Sequence, residues 1–187
     1  MNAKIMHGAI QTKTFLDPAK IFQEVGVDQG SVVADFGCGS GYLALPLARF
    51  IGERGKVFAI DIMKESLSLV HDKALQQGSR NVQTVWADLE VLGGTKITPD
   101  TLDVVFLKDN YFQLEKPQEV LKEAARLLKK SGKLVVIDWK KGKGPVGPPE
   151  ELRKDESEVL AQVEGTGLKK VSEIDVDTYH FGYVFQK

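Results

Sequence analysis

The 187-residue sequence contains one cysteine, Cys38. A lone thiol excludes an internal disulfide and a thiolate cage for a metal, and it suits a reducing compartment. No metal site is expected. An excess of one charge is missing as well: 25 Lys plus Arg face 26 Asp plus Glu, a net of -1. No overall field gathers a polyanion, which argues against a nucleic-acid partner. No run approaches the roughly 20 apolar residues of a membrane span. Residues 1–14, with Lys4, His7 and Lys13 among polar neighbours, lack the apolar core of a signal peptide. These absences together lead to the expectation of a soluble, cytoplasmic protein with no membrane partner. A chain of this length is expected to form one domain, residues 1–187 with 1–16 as an N-terminal arm, and to bury roughly 70% of its unfolded surface without a clip.

What is present is a regular alternation. Residues 31–35, 56–61, 81–86, 102–107 and 133–139 read as β-strands, the fourth (LDVVFL) apolar enough for a sheet centre. Helical spacing fills residues 41–51 and 64–77, with Gly78 as the stop of the second, and it resumes at Pro117. In that third helix Lys129 and Lys130 complement the C-terminal dipole and Gly132 is the expected end. A Pro/Gly-rich loop (KKGKGPVGPP, residues 140–149) follows, then helical composition to Glu164 and two β-rich runs, 168–176 and 181–186, joined only by residues 177–180. The fold class expected is α/β: a three-layer, Rossmann-like arrangement with a mostly parallel seven-stranded sheet, its last strand antiparallel because that link is too short for a crossover.

In such sheets ligands sit beyond the carboxyl ends of the strands, near the point where strand order reverses. The first strand-to-helix turn there reads Asp35-Phe36-Gly37-Cys38-Gly39-Ser40-Gly41. Its glycines allow a tight turn and close approach to a ligand. Asp61, ending the second strand 20 residues after Gly41, stands where a carboxylate accepts from both hydroxyls of a ribose. A nucleoside ligand follows. A dinucleotide is disfavoured twice: Tyr42 replaces the third glycine of its fingerprint, and Asp35 would repel a pyrophosphate. S-adenosyl-L-methionine, with a sulfonium, an ammonium and no phosphate, is instead attracted.

The segments VVADFGCGSG, VFAID, WADLE and LDVVFL, in this order, resemble the motifs of class I S-adenosylmethionine-dependent methyltransferases, in particular the compact branch similar to ubiquinone/menaquinone-biosynthesis methyltransferases. That resemblance covers about residues 15–139 and, by topology, the closing hairpin. It implies methyl transfer from S-adenosyl-L-methionine, with S-adenosyl-L-homocysteine as product. It further implies that Asp35, Phe36, Gly37, Gly39, Ser40 and Gly41 hold the methionine portion and Asp61 the ribose. Ile62, Met63, Ala87, Asp88 and Leu89 would meet the adenine, and Lys108 to Asn110 would face the reacting methyl.

Such a transfer is an in-line displacement needing mainly alignment, with reacting atoms roughly 3–3.5 Å apart. Cys38 reads as a small packed residue, and LKDNYFQL lacks the Asn/Asp-Pro-Pro-aromatic motif of enzymes that methylate nucleobase amines or glutamine amides. An acceptor that loses a proton needs a base; Asp109 is the first candidate and His180 the second, unless His180 only caps the hairpin. Asn110, Trp139 and Tyr179 are expected on the acceptor side, with Trp139 alternatively a plain core aromatic. Phe15, Leu16 and Pro18 form either a lid or an N-terminal packing segment. The expected partner is a small-molecule acceptor, with a homodimer open. Alternatives are an RNA- or protein-directed methyltransferase using the edge of Lys129, Lys130, Lys133, Lys140, Lys141 and Lys143, or a module that binds S-adenosylmethionine without turnover. That edge has no aromatic interleaving to stack bases.

Overall fold

The computed structural model describes residues 16–144 and 146–187. Strands β1 (Val32–Phe36), β2 (Lys56–Asp61), β3 (Val82–Trp86), β4 (Leu102–Lys108), β5 (Leu128–Trp139), β6 (Lys169–Glu173) and β7 (His180–Gln186) form a single sheet of order β3-β2-β1-β4-β5-β7-β6. β1 to β5 run parallel, and β7 is antiparallel to both its neighbours. The expected seven-stranded α/β sheet with an antiparallel last strand is what the chain adopts.

The inner strands read VVADF and LDVVFLK because both faces are covered. Helices α1 (Pro18–Val25), α2 (Ala44–Ile51) and α3 (Lys64–Gln76) cover one face, where Phe22, Leu47 and Val70 meet Val33 and Phe106. On the other, α4 (Pro117–Leu127) and α5 (Glu156–Glu164) bring Leu121, Leu127 and Val159 against Phe36 and Val136. Phe22 and Phe106 meet edge to face with centroids 5.6 Å apart, a geometry that adds to their area burial.

The helices expected from 41 and from about 150 start later, at Ala44 and Glu156, and three further differences have a physical reason or a clear signal. α1 occupies a stretch to which the pattern assigns no element, although its signals are complete. Asp17 accepts from the Ala19 amide at 3.0 Å, Pro18 takes the first turn, and Gly26 closes the helix at φ 71°. α4 ends at Leu127, not near Gly132: Leu128 is already extended, fully buried and paired with Leu102 in the sheet. Ladder pairing there outcompetes another helical turn, and Lys129 forms an ion pair with Asp103 at 2.6 Å rather than serving a helix dipole. β6 stops at Glu173, after a register shift between Lys170 and Ser172.

The chain winds outward from β1 through β2 to β3 and then returns to place β4 on the other side of β1. Strand order therefore reverses between β1 and β4, and the crevice at their carboxyl ends is where a ligand site is expected.

Candidate functional site

The glycine loop after β1 closes on itself. The Gly37 and Cys38 amides both donate to the Ile60 carbonyl at 2.8 and 2.9 Å, and the Gly41 amide donates to the Cys38 carbonyl at 2.9 Å. The Gly39 amide donates to Asp61 Oδ2 at 2.9 Å, and the Ala44 amide to Asp35 Oδ2 at 3.0 Å. The Gly37, Cys38, Gly39, Gly41 and Ala44 amides are therefore spent on the loop's own acceptors, two of them carboxylates, which leaves fewer N–H groups and more negative charge than a pyrophosphate cradle wants. Glycine is required at 37 for two reasons. The residue sits at φ 69°, and a Cβ there would lie 2.4 Å from the Asn110 amide. Gly39, at φ 49°, faces open space.

Beside the loop, Asp61 ends β2 almost buried. Its Oδ1 accepts from the Met63 amide at 2.8 Å, and with one N–H on each oxygen the carboxylate retains capacity for two more donors. Around it stands an exposed apolar rim: Ile62, Met63 and Trp86 are 58, 55 and 62% exposed, and Tyr42 47%. Large apolar groups left in water around a half-satisfied carboxylate suit the flat base and the hydroxyls of a nucleoside. Trp86, missed by sequence reasoning, donates its indole N–H to the Ile62 carbonyl at 2.9 Å; an aromatic at the end of the third strand was the available signal. Ala87 is buried and Leu89 half-buried, while the exposed Asp88 accepts from the Glu90 amide at 2.9 Å.

The end of β4 supplies the other side. Asn110 is turned toward the glycine loop: its amide donates to the carbonyls of Phe36 (3.0 Å), Gly37 (3.0 Å) and Lys108 (2.8 Å). It locks β1 to β4 instead of projecting outward. Asp109 has a left-handed backbone, φ 53°. Its carboxylate meets the Lys108 ammonium on one oxygen and His180 Nε2, 3.2 Å away, on the other. His180 Nδ1 is clasped by both oxygens of Asp177 at 2.9 and 2.8 Å. Burial opposes ionisation of Asp109, but His180 and Lys108 override it and hold the carboxyl below its ordinary range. Burial likewise opposes the imidazolium, yet Asp109 and Asp177 lift His180 above its ordinary value. The atoms that either group would use as a base, Asp109 Oδ1 and His180 Nε2, thus face each other.

Trp139 packs against the His180 ring at 4.0 Å between centroids, and a Cβ at Gly147 would touch its indole. The loop carrying Gly147 is tied down by Arg153. This cation, 3% exposed, donates to the carbonyls of Lys140 (2.9 Å), Gly144 (3.2 Å), Val146 (2.6 Å) and Pro148 (3.1 Å). Nothing in the local sequence pattern flags that role. Tyr179 is half-buried, and its carbonyl accepts from the Lys140 amide. Leu16 is buried, its carbonyl accepting from the Tyr42 hydroxyl, which is packing rather than a free lid; Phe15 lies outside the described residues.

The carboxyl edge of the sheet is acidic. Burial lifts Asp35 to about 7, with Asp61 adding to the effect, and lifts Asp138 to about 6. Cys38 is buried, and burial with the nearby Asp35 and Asp61 pushes its thiol far above the ordinary range. Of the lysine edge, Lys129 pairs with Asp103, Lys141 with Asp155, and Lys133 donates to the Val25 carbonyl. A cleft of about 850 Å³ lies at the opposite, amino end of the strands, lined by Arg54, Lys56, Arg80 and Asn81. Among the described residues, the buried side-chain polar atoms without a hydrogen-bond partner are not there but at Asp109 Oδ1 and His180 Nε2.

Residues 27–184 match the methyltransferase-domain family. Among curated proteins, the ubiquinone/menaquinone biosynthesis C-methyltransferase UbiE of Azotobacter vinelandii is 33% identical over 118 residues, 62% of this chain and 45% of that protein. The demethylmenaquinone methyltransferase of Lactobacillus johnsonii is 27% identical over 128 residues, 68% of this chain and 51% of that one. The chain thus spans about half the length of these relatives. The crystal structure of a SAM-dependent methyltransferase from Aquifex aeolicus superimposes with a TM-score of 0.85 at 31% identity, covering 92% of this chain and 90% of that one. The [4+2]-cyclase SpnF, at 16% identity and a TM-score of 0.77 over 91% of this chain and 79% of its own, shares the fold alone.

Proposed function

The chain belongs to the methyltransferase-domain family, whose methyl donor is S-adenosyl-L-methionine, and from that premise we propose that it transfers this methyl group to a small-molecule acceptor. The observation that carries the reading is the glycine loop. Asp35 and Asp61 flank it and accept from the Ala44 and Gly39 amides, so it suits a cationic amino-acid tail and repels a diphosphate. Asp35, Phe36, Gly37, Gly39, Ser40 and Gly41 hold the methionine portion. Asp61 takes the ribose hydroxyls, and Ile62, Met63, Trp86, Ala87, Asp88 and Leu89 enclose the adenine.

The cofactor supplies a methyl group activated on a sulfonium. The chain's part is alignment and exclusion of water. Lys108 and Asp109 form the acceptor end, with Trp139, Tyr179 and His180 as its outer wall and Asn110 fixing the loop behind it. A small acceptor is favoured over RNA because half of the lysine edge is engaged by acids or carbonyls. The relatives' C-methylation in ubiquinone/menaquinone biosynthesis makes a quinone-type ring compound the first acceptor to assay.

Calorimetry with S-adenosyl-L-methionine, S-adenosyl-L-homocysteine and NAD tests the cofactor site. The first two should bind and NAD should not, and Asp61→Asn should weaken binding about 10- to 100-fold, about 1.4–2.8 kcal/mol. Preference for NAD overturns the reading. Single-turnover transfer of labelled methyl to a metabolite extract then separates an enzyme from a pure binder, which labels nothing.

A further inference from the structure

Resting on the acceptor side just described, a strap of three side chains joins elements far apart in sequence. His180 opens β7 with its side chain only 8% exposed. Asp177, in the turn before it, accepts from the backbone amides of Tyr179 (2.7 Å) and His180 (2.8 Å) while clasping Nδ1 with both oxygens. The ring is thereby fixed in rotation, and Trp139 backs it at 4.0 Å. Its Nε2 faces Asp109 Oδ1 across 3.2 Å, as an ion pair in which neither atom has a hydrogen-bond partner. What holds these two atoms together is charge. A neutral imidazole has one N–H and can serve one carboxylate, whereas the imidazolium has two and serves both. Asp109 needs holding, because a non-glycine residue at φ 53° sits in a region that costs about 1 kcal/mol or more.

We propose that Asp177 is a positioning residue: through a protonated His180 it holds Asp109, and with it Lys108, at the acceptor end, and His180 serves as a charged strut and not as a general base. The other charged groups around the ring are of both signs, with acids in excess. Lys108 comes from the end of β4 and Lys140 from the end of β5. Against them stand Asp109 and Asp177, with Glu156 of α5, Glu173 of β6 and Asp175 lining the small cavity beside His180. Acids outnumber bases, so the imidazolium is favoured. Because its pKa is raised in the fold, the strap is complete at low pH and is released as pH rises through the folded value.

The chain has three histidines and two tryptophans, which makes the strap directly readable. In protein labelled with 15N-histidine, His180 should titrate at higher pH than free histidine in the same buffer. Asp177→Asn and Asp109→Asn should each lower its midpoint by about one pH unit, a tenfold loss of proton affinity. In a Trp86→Phe background, Trp139 fluorescence, quenched by the adjacent imidazolium, should rise at the same midpoint. Asp177→Asn should keep S-adenosyl-L-methionine affinity within twofold while lowering methyl transfer to the extract and moving its alkaline limb to lower pH. The proposal is overturned if His180 titrates together with free histidine, or if its midpoint ignores either substitution. Should S-adenosyl-L-methionine fail to bind while His180 titrates as described, the methyl-transfer reading falls and the strap stands.

Discussion

Replacing Asp35 by asparagine should stabilise the fold and weaken the cofactor at the same time. Asp35 is 3% exposed and accepts from the Ala44 amide at 3.0 Å. Burial, reinforced by Asp61 and partly offset by that bond and by Lys108, lifts its carboxyl from 3.8 to about 7. At about 1.4 kcal/mol per pH unit, holding it ionised in the fold costs about 4 kcal/mol. The folded pKa lies above the unfolded one, so the folded state binds the extra proton between the two values. Stability is therefore greatest at the acid end of that window, declines as pH rises through it, and has lost this contribution above pH 7. Asp138, raised to about 6, acts in the same direction. Asparagine keeps an oxygen for Ala44 and carries no charge. After allowance for its newly buried NH2 group, Asp35→Asn should gain about 2–3 kcal/mol in urea denaturation at pH 8, with much less gain at pH 5. A cation bound beside Asp35 restores its ionisation. Wild-type affinity for S-adenosyl-L-methionine should consequently rise up to tenfold per pH unit between pH 5 and 7. Calorimetry in two buffers of different ionisation enthalpy should register the released proton. The variant should bind more weakly and lose that pH dependence. A variant less stable at pH 8, or a wild-type affinity flat from pH 5 to 7, would refute the electrostatic reasoning and leave Asp35 as a cap for α2.

Gly37→Ala, at φ 69° and with its new Cβ 2.4 Å from Asn110, should lower stability by about 2–3 kcal/mol and cofactor affinity at least tenfold; wild-type calorimetry and melting would contradict this. Glu123 is fully buried and accepts from Arg126, Thr95 and the Gly93 amide. Glu123→Ala strands the Thr95 hydroxyl and the Gly93 amide, while Arg126 keeps the Ile97 carbonyl and part of its exposure to water, so thermal melting should show a loss of about 2–4 kcal/mol without any direct effect on the site. Cys38, with its thiol held protonated by burial, should react with a disulfide reagent at pH 8 only as fast as the protein unfolds, and saturating S-adenosyl-L-homocysteine should slow it further. Fast labelling of the native state would show the glycine loop to be open.

The alternation of strands and helices, the glycine loop and the closing hairpin are local patterns, and the fold follows from them. Side-chain period, turn chemistry and link length act over a few residues, so they can be read without coordinates. The boundaries that moved did so where distant partners compete. Leu128 leaves the helical register because Leu102, 26 residues earlier, offers a ladder position. α1 carries its cap, its proline and its glycine in the sequence but is only eight residues long, too short for periodicity to stand out.

The site divides in the same way. Asp35, the glycines and Asp61 belong to a motif whose spacing carries its own geometry, so their grouping at the carboxyl ends of β1 and β2 is a property of the chain alone. Which way each group points is not. The side chains of Asn110, Trp86, Arg153 and Asp177 are directed by carbonyls, amides and rings contributed from across the sheet. The same holds for charge. Asp109 and His180 are 71 residues apart in the chain and 3.2 Å apart in space, and that proximity, absent from any local pattern, lowers the pKa of one and raises that of the other. The sequence by itself determined the fold and the cofactor class, because both rest on short-range patterns; only the tertiary structure decided which charges meet at the carboxyl end of the sheet and how far each shifts its neighbour, because Coulomb's law and burial act through space and not along the chain.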